Sequence, residues 1–275
     1  MGATSTQKGA MSARAADNLR KVRETKPLVH NITNFVVMNF TANILLAAGA
    51  SPVMAHAENE VEEMVSFARA LVLNIGTLTD DWVDSMIRAG KKATSLGVPI
   101  ILDPVGAGAT MLRTRATQQI LAETRVSMVR GNASEILALA GGNTKNRGVD
   151  AADSVEEATD QGLLLARGLG VPVAITGPVD FITDGQRIVR VANGHSLMSV
   201  ITGTGCGATA IIGAFAGVDS DPVSAAATAL AYYGLAGESA AVGAVGPGSF
   251  MIRFLDALYN LTPEELERDC KITEG

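Results

Sequence analysis

The sequence predicts an α/β fold with a mostly parallel central sheet, helices on both faces and an antiparallel hairpin at one edge. Short apolar runs alternate with segments of helical periodicity, which is typical of βαβ units. The apolar runs are continuous, as expected of strands buried on both faces of a parallel sheet. Hydrophobic residues make up 47% of the 275 residues and charged residues 18%, a balance that favours a large folded core over disorder.

Four apolar runs are the predicted parallel strands, and predicted helices separate them. The runs are ALVLNIG at 70–76, VPIILDPVGAG at 98–108, SMVRGN at 127–132 and VPVAITG at 171–177. Apolar residues recur at helical spacing in the segments 80–96, 112–125, 133–140 and 154–169.

The remaining elements follow the last parallel strand. Residues 179–194 alternate apolar and polar residues about an Asp184-Gly185 turn, which predicts a β-hairpin. Beyond Gly207 the pattern is helical, over 208–217, 222–242 and 248–259. Because no linker or repeat interrupts the chain, we expect a single domain over 1–275 with a flexible tail over 1–12.

Charge and cysteine content exclude several classes of function. The net charge is −6 and no block of Lys and Arg occurs, which argues against binding to nucleic acid or anionic membranes. The two cysteines, Cys206 and Cys270, do not form a disulfide framework. No apolar run is long enough to cross a membrane, and the first dozen residues lack the apolar core of a signal peptide. We therefore expect a cytoplasmic protein with small-molecule partners.

A glycine-rich stretch, VITGTGCGATAIIGAFAG, opens the first of the C-terminal helices. Gly203, Gly205 and Gly207 alternate with other residues, and Cys206 lies between the last two. Backbone N–H groups at a helix start bind anions, and glycine lets an oxygen approach closely. The stretch lacks the Lys-Ser/Thr of a Walker A loop, and it lies too near the C-terminus for a dinucleotide fingerprint. The alternative interpretation is tight packing of small residues between helices.

Polar residues at the carboxyl ends of the predicted strands point to one shared crevice. Asp103 follows an apolar strand, where it either pairs with Lys91 or Arg130 or organises a metal ion or phosphate. Glu135 is the third residue after Asn132, as in a helix capping box. Its alternative role is that of a carboxylate aimed at hydrated Mg²⁺ beside phosphates.

Eight motifs in order give the chain a family resemblance from Pro27 to Leu261. They are PLVHNITNFV, ASPVMA, ALVLNIGTL, ILDPVGAGAT, RGNASEI, AITGPVD, TGTGCGATA and GPGSF. Together they resemble the hydroxyethylthiazole kinases, which have the ribokinase-like fold and act in thiamine biosynthesis and salvage. The resemblance implies transfer of the γ-phosphate of ATP, with Mg²⁺, to the primary hydroxyl of 4-methyl-5-(2-hydroxyethyl)thiazole. It also implies a homotrimer with the thiazole pocket between subunits.

The resemblance assigns roles to residues that match the family's motifs. ATP contacts are assigned to Arg130, Asn132 and Thr176, and metal and phosphate organisers to Asp103 and Glu135. Thiazole-pocket positions are Asn34, Met54 and Gly203. The anion hole with its catalytic base matches Gly205, Cys206 and Gly207. We expect the helix N-terminus to lower the pKa of the Cys206 thiol, so that thiolate is available near neutral pH.

Three other functions are compatible with parts of the sequence. The first keeps the fold and phosphorylates another vitamin precursor alcohol, such as a hydroxymethylpyrimidine or pyridoxal. The second is a nucleotide-dependent dehydratase of hydrated NAD(P)H, which is expected to carry Asp at position 206, so Cys206 argues against it. The third is a non-enzymatic sensor of thiazole or nucleotide, which would not need Asp103, Glu135 and Cys206 together.

Overall fold

The computed structural model describes residues 3–141 and 151–275, and its strands include all four predicted parallel strands. The strands are β1 (Leu28–Ile32), β2 (Ser51–Val53), β3 (Ala70–Asn74), β4 (Ile100–Asp103), β5 (Met128–Asn132), β6 (Val173–Thr176), β7 (Asp180–Thr183), β8 (Ile188–Val191) and β9 (Ile272–Glu274). The sheet order is β2-β1-β3-β4-β5-β6-β7-β8-β9. Strands up to β6 are parallel, and β7, β8 and β9 pair antiparallel at the other edge, so the predicted fold class is confirmed.

Helices cover both faces of the sheet. They are α1 (Ala3–Thr25), α2 (Met38–Ala48), α3 (Val61–Phe67), α4 (Asp80–Leu96), α5 (Met111–Glu123), α6 (Ala133–Leu139), α7 (Ala151–Leu169), α8 (Thr204–Ala216), α9 (Pro222–Ala241), α10 (Pro247–Asn260) and α11 (Pro263–Asp269), with a 3₁₀ helix at Ser196–Val200. One hydrophobic core contains Val72 of β3, and the other contains its neighbours Leu71 and Leu73. Successive side chains of β3 thus enter opposite cores, as expected of a strand buried on both faces.

Local capping explains why α4 matches its predicted bounds. The Thr79 side chain accepts a hydrogen bond from the backbone N–H of Trp82, and Asp80 and Asp81 lie in the first turn, where the helix dipole favours carboxylates. Gly97 ends the helix with φ +69°, a left-handed conformation that favours glycine.

Helix α8 begins at Thr204, four residues before its predicted start at Ala208. Gly203 precedes it with φ +92°, so the chain turns into the helix at that glycine. Gly205, Cys206 and Gly207 therefore belong to the first turn of the helix. The low helix propensity of glycine hid this turn from the sequence pattern.

The N-terminal segment contains a helix that the sequence analysis did not predict, while the flexibility of residues 1–12 stays a prediction. The structure has α1 from Ala3, within the segment 1–12 where we expected a flexible tail. Met11, Ala15, Leu19 and Val22 recur at helical spacing and are buried. Helix α1 therefore packs through one apolar face, and this periodicity was the signal for it. The single domain over 1–275 stays a prediction.

Strand β1 was also missed, because His30 and Asn31 interrupt its apolar run. Both side chains are buried and reach backbone carbonyls: His30 Nε2 lies 2.7 Å from the Ala55 oxygen, and Asn31 Nδ2 donates to the Val29 oxygen at 2.9 Å. Within 3–141 and 151–275, no helix has the length and apolar character needed to span a lipid bilayer. The cytoplasmic location stays a prediction.

Candidate functional site

The carboxyl ends of four adjacent parallel strands form the floor of the candidate site. Asn74 ends β3 and lies in register with Asp103, which ends β4. Asn132 ends β5 and lies in register with Thr176, which ends β6. Since parallel strands end at the same edge of the sheet, this register brings the four polar side chains together, as predicted.

A directed chain of buried hydrogen bonds crosses this floor and ends on Asp103. Asn34 Nδ2 donates to Asn74 Oδ1 at 2.9 Å, and Asn74 Nδ2 donates to Asp103 Oδ2 at 2.8 Å. Thr209 of α8 donates its hydroxyl to the same Asp103 oxygen at 2.8 Å. All these donors point toward Asp103, so its carboxylate fixes the orientation of both asparagine amides.

Asp103 also pairs with Arg130, one of the two partners that the sequence allowed. Asp103 Oδ1 lies 3.7 Å from Arg130 Nη1, and Arg130 Nη2 donates to the Thr176 hydroxyl. Asp103 is fully buried, and burial raises the pKa of its carboxyl to about 6, while Arg130 opposes that rise. The carboxyl is therefore ionised at neutral pH at a cost in stability.

Each glycine of the alternating stretch has a different neighbour. A Cβ at Gly205 would lie 2.9 Å from Arg130 Nη1, so the bare backbone leaves room for the guanidinium. A Cβ at Gly207 would lie 2.5 Å from the Tyr233 hydroxyl, inside the core. Gly205 therefore faces Arg130 at the site, whereas Gly207 packs against another helix, as the alternative interpretation of the stretch expects. Anion binding by the stretch stays a prediction.

The backbone N–H groups in the first turn of α8 differ in whether they have a hydrogen-bond partner within the helix. The Gly207 N–H donates to the Gly203 oxygen at 2.7 Å, a helical hydrogen bond that engages this predicted anion-hole group. Gly205 and Cys206 occupy the second and third positions of the helix, where an N–H has no partner within the helix. Both groups are therefore available to an anion.

We predict that alanine at Gly205 impairs ligand binding, whereas alanine at Gly207 lowers the stability of the fold. Gly205→Ala should weaken phosphate binding at the start of α8 through displaced Arg130, yet leave the free energy of unfolding unchanged or higher, because alanine favours helix by about 1 kcal/mol. Gly207→Ala should destabilise the protein by about 1–3 kcal/mol through overpacking against Tyr233 and Ile44. Urea unfolding and titrations with inorganic phosphate of both variants test this pair of predictions. Equal stability losses in the two variants would contradict it.

The Cys206 thiol accepts hydrogen bonds from side-chain amides, yet its pKa is raised and not lowered. Its Sγ lies 3.5 Å from Asn34 Nδ2, and Asn74 also donates to it. Burial and then the Asp103 charge raise the pKa of the thiol to about 11, although both amides and Arg130 lower it. The expected lowering of this pKa by the helix start is therefore wrong for the protein without substrates. Burial and a nearby carboxylate outweigh the helix dipole.

Glu135 forms the capping box that its spacing predicted and adds a contact to the site. Its Oε2 accepts the Asn132 N–H at 2.8 Å, and the Asn132 side chain accepts the Glu135 N–H at 2.9 Å. Its Oε1 accepts the Gly106 N–H at 2.9 Å, which joins the loop after β4 to α6.

Of the two candidate carboxylates, Glu135 fits Mg²⁺ that is bound mainly to water and phosphate. Among the described residues, no group of three or more His, Cys, Asp or Glu side chains could hold a metal ion. Asp103 faces Arg130 and is fully buried, so it does not fit a direct ligand. Glu135 retains lone pairs beyond its two backbone contacts, and Mg²⁺ commonly keeps several waters beside one carboxylate and phosphates.

Two predicted thiazole-pocket residues lie outside the hydrogen-bonded floor. Met54 follows β2 and is half-buried, and its carbonyl lies 3.4 Å from His56 Nδ1. Gly203 faces α2, where a Cβ would lie 3.0 Å from Phe40 and Val37. Their part in substrate binding stays a prediction.

Sequence reasoning gave no role to several site residues. Asn74 received no role from the sequence, although it joins Asn34, Asp103 and Cys206. Tyr233 of α9 is buried, and its hydroxyl has no hydrogen-bond partner within the described chain. These contacts join segments far apart in the sequence, and no local pattern signals them.

The chain matches one protein family along most of its length. The model of the Hydroxyethylthiazole kinase family matches residues 19–264. A hydroxyethylthiazole kinase of Desulfotalea psychrophila is 61% identical over 265 residues, which cover 96% of this chain and 97% of that protein. A hydroxyethylthiazole kinase of Moorella thermoacetica is 52% identical over 257 residues, with 94% and 96% covered.

Solved structures give the same result for the fold. The structure of a hydroxyethylthiazole kinase protein from Pyrococcus horikoshii OT3 superposes with a TM-score of 0.88 at 47% identity, covering 95% of this chain and 98% of that one. A pyridoxal kinase from Staphylococcus aureus, in complex with AMP-PCP and pyridoxal, superposes with a TM-score of 0.58 over 78% of this chain and 88% of that one. At 16% identity, this second similarity shows the fold alone.

Proposed function

Because this chain belongs to the hydroxyethylthiazole kinase family, we propose that it transfers the γ-phosphate of ATP to the primary hydroxyl of 4-methyl-5-(2-hydroxyethyl)thiazole. The observation that carries this proposal is the buried chain from Asn34 through Asn74 to Asp103, which lies beneath the first turn of α8 and ends beside Arg130. It connects a candidate alcohol site to a candidate phosphate site.

Arg130 and Thr176 hold the nucleotide in this proposal. The guanidinium is fixed between Asp103 and the Thr176 hydroxyl, directly against Gly205 at the start of α8. A planar guanidinium suits phosphate oxygens, and its fixed position limits the entropy lost when the phosphates bind. Asn132 lies on the same strand end and is exposed, so it is available to the nucleotide.

The helix start of α8 stabilises the phosphoryl group during transfer. The N–H groups of Gly205 and Cys206 point out of the first turn, where the helix dipole favours negative charge. Donors that are already oriented need no reorganisation as charge develops, which is the largest source of stabilisation in many enzymes.

Cys206 receives the proton of the alcohol. For the thiol to act as a base it must first be ionised, and the amides of Asn34 and Asn74 favour that form by donating to sulfur. Transfer then breaks the bond between the γ-phosphorus and the bridging oxygen of ATP and forms one to the alcohol oxygen. The alcohol proton passes to Sγ.

Glu135, together with bound water, would hold Mg²⁺ near the phosphates. When bound, the ion would neutralise phosphate charge. Glu135 supplies the carboxylate, and its contact to the Gly106 N–H fixes the carboxylate orientation. Asp103 contributes indirectly, since it orients Arg130.

The reaction is tested by incubating purified protein with ATP, Mg²⁺ and each of three alcohols: the thiazole, a hydroxymethylpyrimidine and pyridoxal. Mass spectrometry should detect thiazole phosphate and ADP, with far less product from the other two alcohols. Folded protein that forms no thiazole phosphate would refute the proposal, and preferential phosphorylation of either other alcohol would reassign the substrate.

Glu135→Gln should raise the Mg²⁺ concentration needed for half-maximal activity, because the neutral amide attracts the hydrated cation less. The KM for the thiazole alcohol should change little. Glu265→Gln is the matched control, since Glu265 forms the same kind of capping box with Thr262 at α11. An unchanged Mg²⁺ titration in Glu135→Gln would leave Glu135 with a capping role only.

We also propose that three copies form a ring with the thiazole pocket at the subunit boundary. Phe35 and Val36 follow Asn34 directly and are 59% and 73% exposed, and Val200 before the glycine stretch is 60% exposed. Exposed apolar residues near a pocket favour an interface, and a heterologous interface that closes gives a ring. Light scattering should give three times the 28.4 kDa chain mass. A fully active monomer would contradict this assembly.

A further inference from the structure

Arg113 joins two segments at the carboxyl edge of the sheet. It lies in the first turn of α5 and is half-buried. Its Nη1 donates to the Ile75 oxygen at 2.9 Å and to the Val105 oxygen at 2.6 Å. Its Nη2 donates to the Gly76 oxygen at 2.9 Å. One guanidinium thus binds the segment after β3 and the segment after β4.

The segment after β3 contacts the alcohol side of the site. The Gly76 N–H donates to Asn74 Oδ1 at 3.0 Å, so the backbone at Gly76 helps to fix the Asn74 amide. A Cβ at Gly76 would lie 2.5 Å from Asn34 Nδ2. A shift of this segment would therefore move both asparagine amides, and with them the contact to Cys206.

The segment after β4 contacts the phosphate side. Its Gly106 N–H donates to Glu135 Oε1 at 2.9 Å. Gly106 has φ +73°, and a Cβ there would lie 3.1 Å from Arg113 Cδ, so the arginine side chain crosses directly over this glycine. The backbone of Arg113 is itself fixed, because its N–H donates to the Thr110 hydroxyl at 3.3 Å.

We propose that Arg113 is a positioning residue, which holds residues 75–76 against residues 105–106 and thereby sets the distance between the alcohol side and the phosphate side. The inference rests on the proposed kinase activity. The guanidinium suits this role because its donors form a rigid planar fork that reaches three carbonyls at once, whereas the ammonium of lysine is a point donor on a flexible stem.

The test compares Arg113→Met and Arg113→Lys with a matched control, Arg23→Met. Arg23 also donates to two carbonyls, those of Leu258 and Tyr259, but it lies on α1 away from the site. Arg113→Met should lower kcat on the order of 10²-fold, since small misplacements of reacting groups have effects of that size. The KM values should change much less, and Arg113→Lys should fall between wild type and Arg113→Met. Arg23→Met should keep the wild-type kcat.

Two further measurements separate positioning from general loss of stability. Methylguanidine should restore part of the kcat of Arg113→Met and leave Arg23→Met unchanged. Amide hydrogen exchange at residues 75–77 and 105–108 should accelerate in Arg113→Met but not in Arg23→Met, and this measurement needs no activity. Wild-type kcat in Arg113→Met, or equal kcat losses in both methionine variants, would overturn the inference. Unchanged exchange at both segments would overturn it as well, whereas an inactive wild type would refute only the kinase proposal.

Discussion

Cys206→Ser should lower kcat by about 10²–10⁴-fold, the usual contribution of a general base. The serine hydroxyl stays protonated at neutral pH, although it nearly conserves the volume of the thiol. Cys206→Asp should retain activity, since even a carboxyl whose pKa burial raises to about 6, as it does for Asp103, is mainly ionised at neutral pH. Cys270→Ser is the matched control, because Cys270 is buried beside Ser12 and its Sγ lies 3.1 Å from the Ser12 hydroxyl. The Cys270→Ser substitution should leave kcat unchanged.

The pH dependence gives a second test of the same residue. A base works only when deprotonated, and burial raises the pKa of the Cys206 thiol to about 11. For wild type, kcat/KM should therefore rise with pH throughout the neutral and mildly alkaline range, because this ratio reports groups of the free enzyme. The Cys206→Asp variant should show a flat profile over that range. A flat wild-type profile, equal rates for serine and cysteine, or an inactive but folded aspartate variant would contradict the assignment.

Asp103→Asn should abolish most activity without destabilising the protein at neutral pH. The asparagine oxygen can still accept from Asn74 and Thr209, but the charge that orients Arg130 is lost. We expect kcat to fall on the order of 10²–10³-fold, as for the loss of an oriented electrostatic contact in other enzymes.

The stability effect follows from the pKa of Asp103. Burial raises this pKa from 3.8 to about 6, so the folded state holds the proton more tightly than the unfolded chain. Because the folded state binds this proton more tightly, protonation of Asp103 stabilises the fold. The stabilisation is fully present below pH 3.8 and is lost as pH rises through about 6. Asn cannot ionise, so the variant should be as stable as wild type at pH 7, or up to about 3 kcal/mol more stable.

Asp219→Asn is the matched comparison, because it should lower the stability of the protein at neutral pH without lowering kcat. Burial raises the pKa of Asp219, but hydrogen bonds from Arg14 and Asn18 outweigh burial and hold it below its usual value. Loss of this carboxylate should lower the free energy of unfolding at pH 7 and leave kcat unchanged. Urea unfolding at pH 4 and pH 7 with kcat measurements distinguishes the two aspartates. Wild-type kcat in Asp103→Asn, or a clear loss of its stability at pH 7, would refute the prediction.

Local patterns predicted the elements whose signals lie within one segment. Helix α4 has its capping threonine, acidic first turn and terminal glycine within twenty residues, and its bounds matched. Strand β1 was missed because His30 and Asn31 interrupt its apolar run, and His30 reaches its partner, the Ala55 oxygen, only after folding. The sequence pattern shows residue types, but it does not show which buried polar group will be satisfied.

The same limit applied to the candidate site. The polar strand ends were predicted to converge, and the register of β3 with β4 and of β5 with β6 brings them together. The pKa of Cys206 was predicted in the wrong direction, since it depends on burial and on Asp103, a residue about a hundred positions away. Likewise, nothing near Gly207 in the sequence indicates that Tyr233 occupies the space of its missing side chain.

The position of α1 has a consequence for how the protein is synthesised. This helix leaves the ribosome well before α9 and α11, yet its buried face packs on both of them. Asn18 donates to the Thr228 hydroxyl at 3.0 Å, a contact that cannot form until most of the chain has been translated. Leu19 and Val22 therefore stay uncovered during most of translation. We expect a chaperone that binds nascent apolar segments to retain ribosome-stalled chains ending before α9, and to release chains that extend past α11.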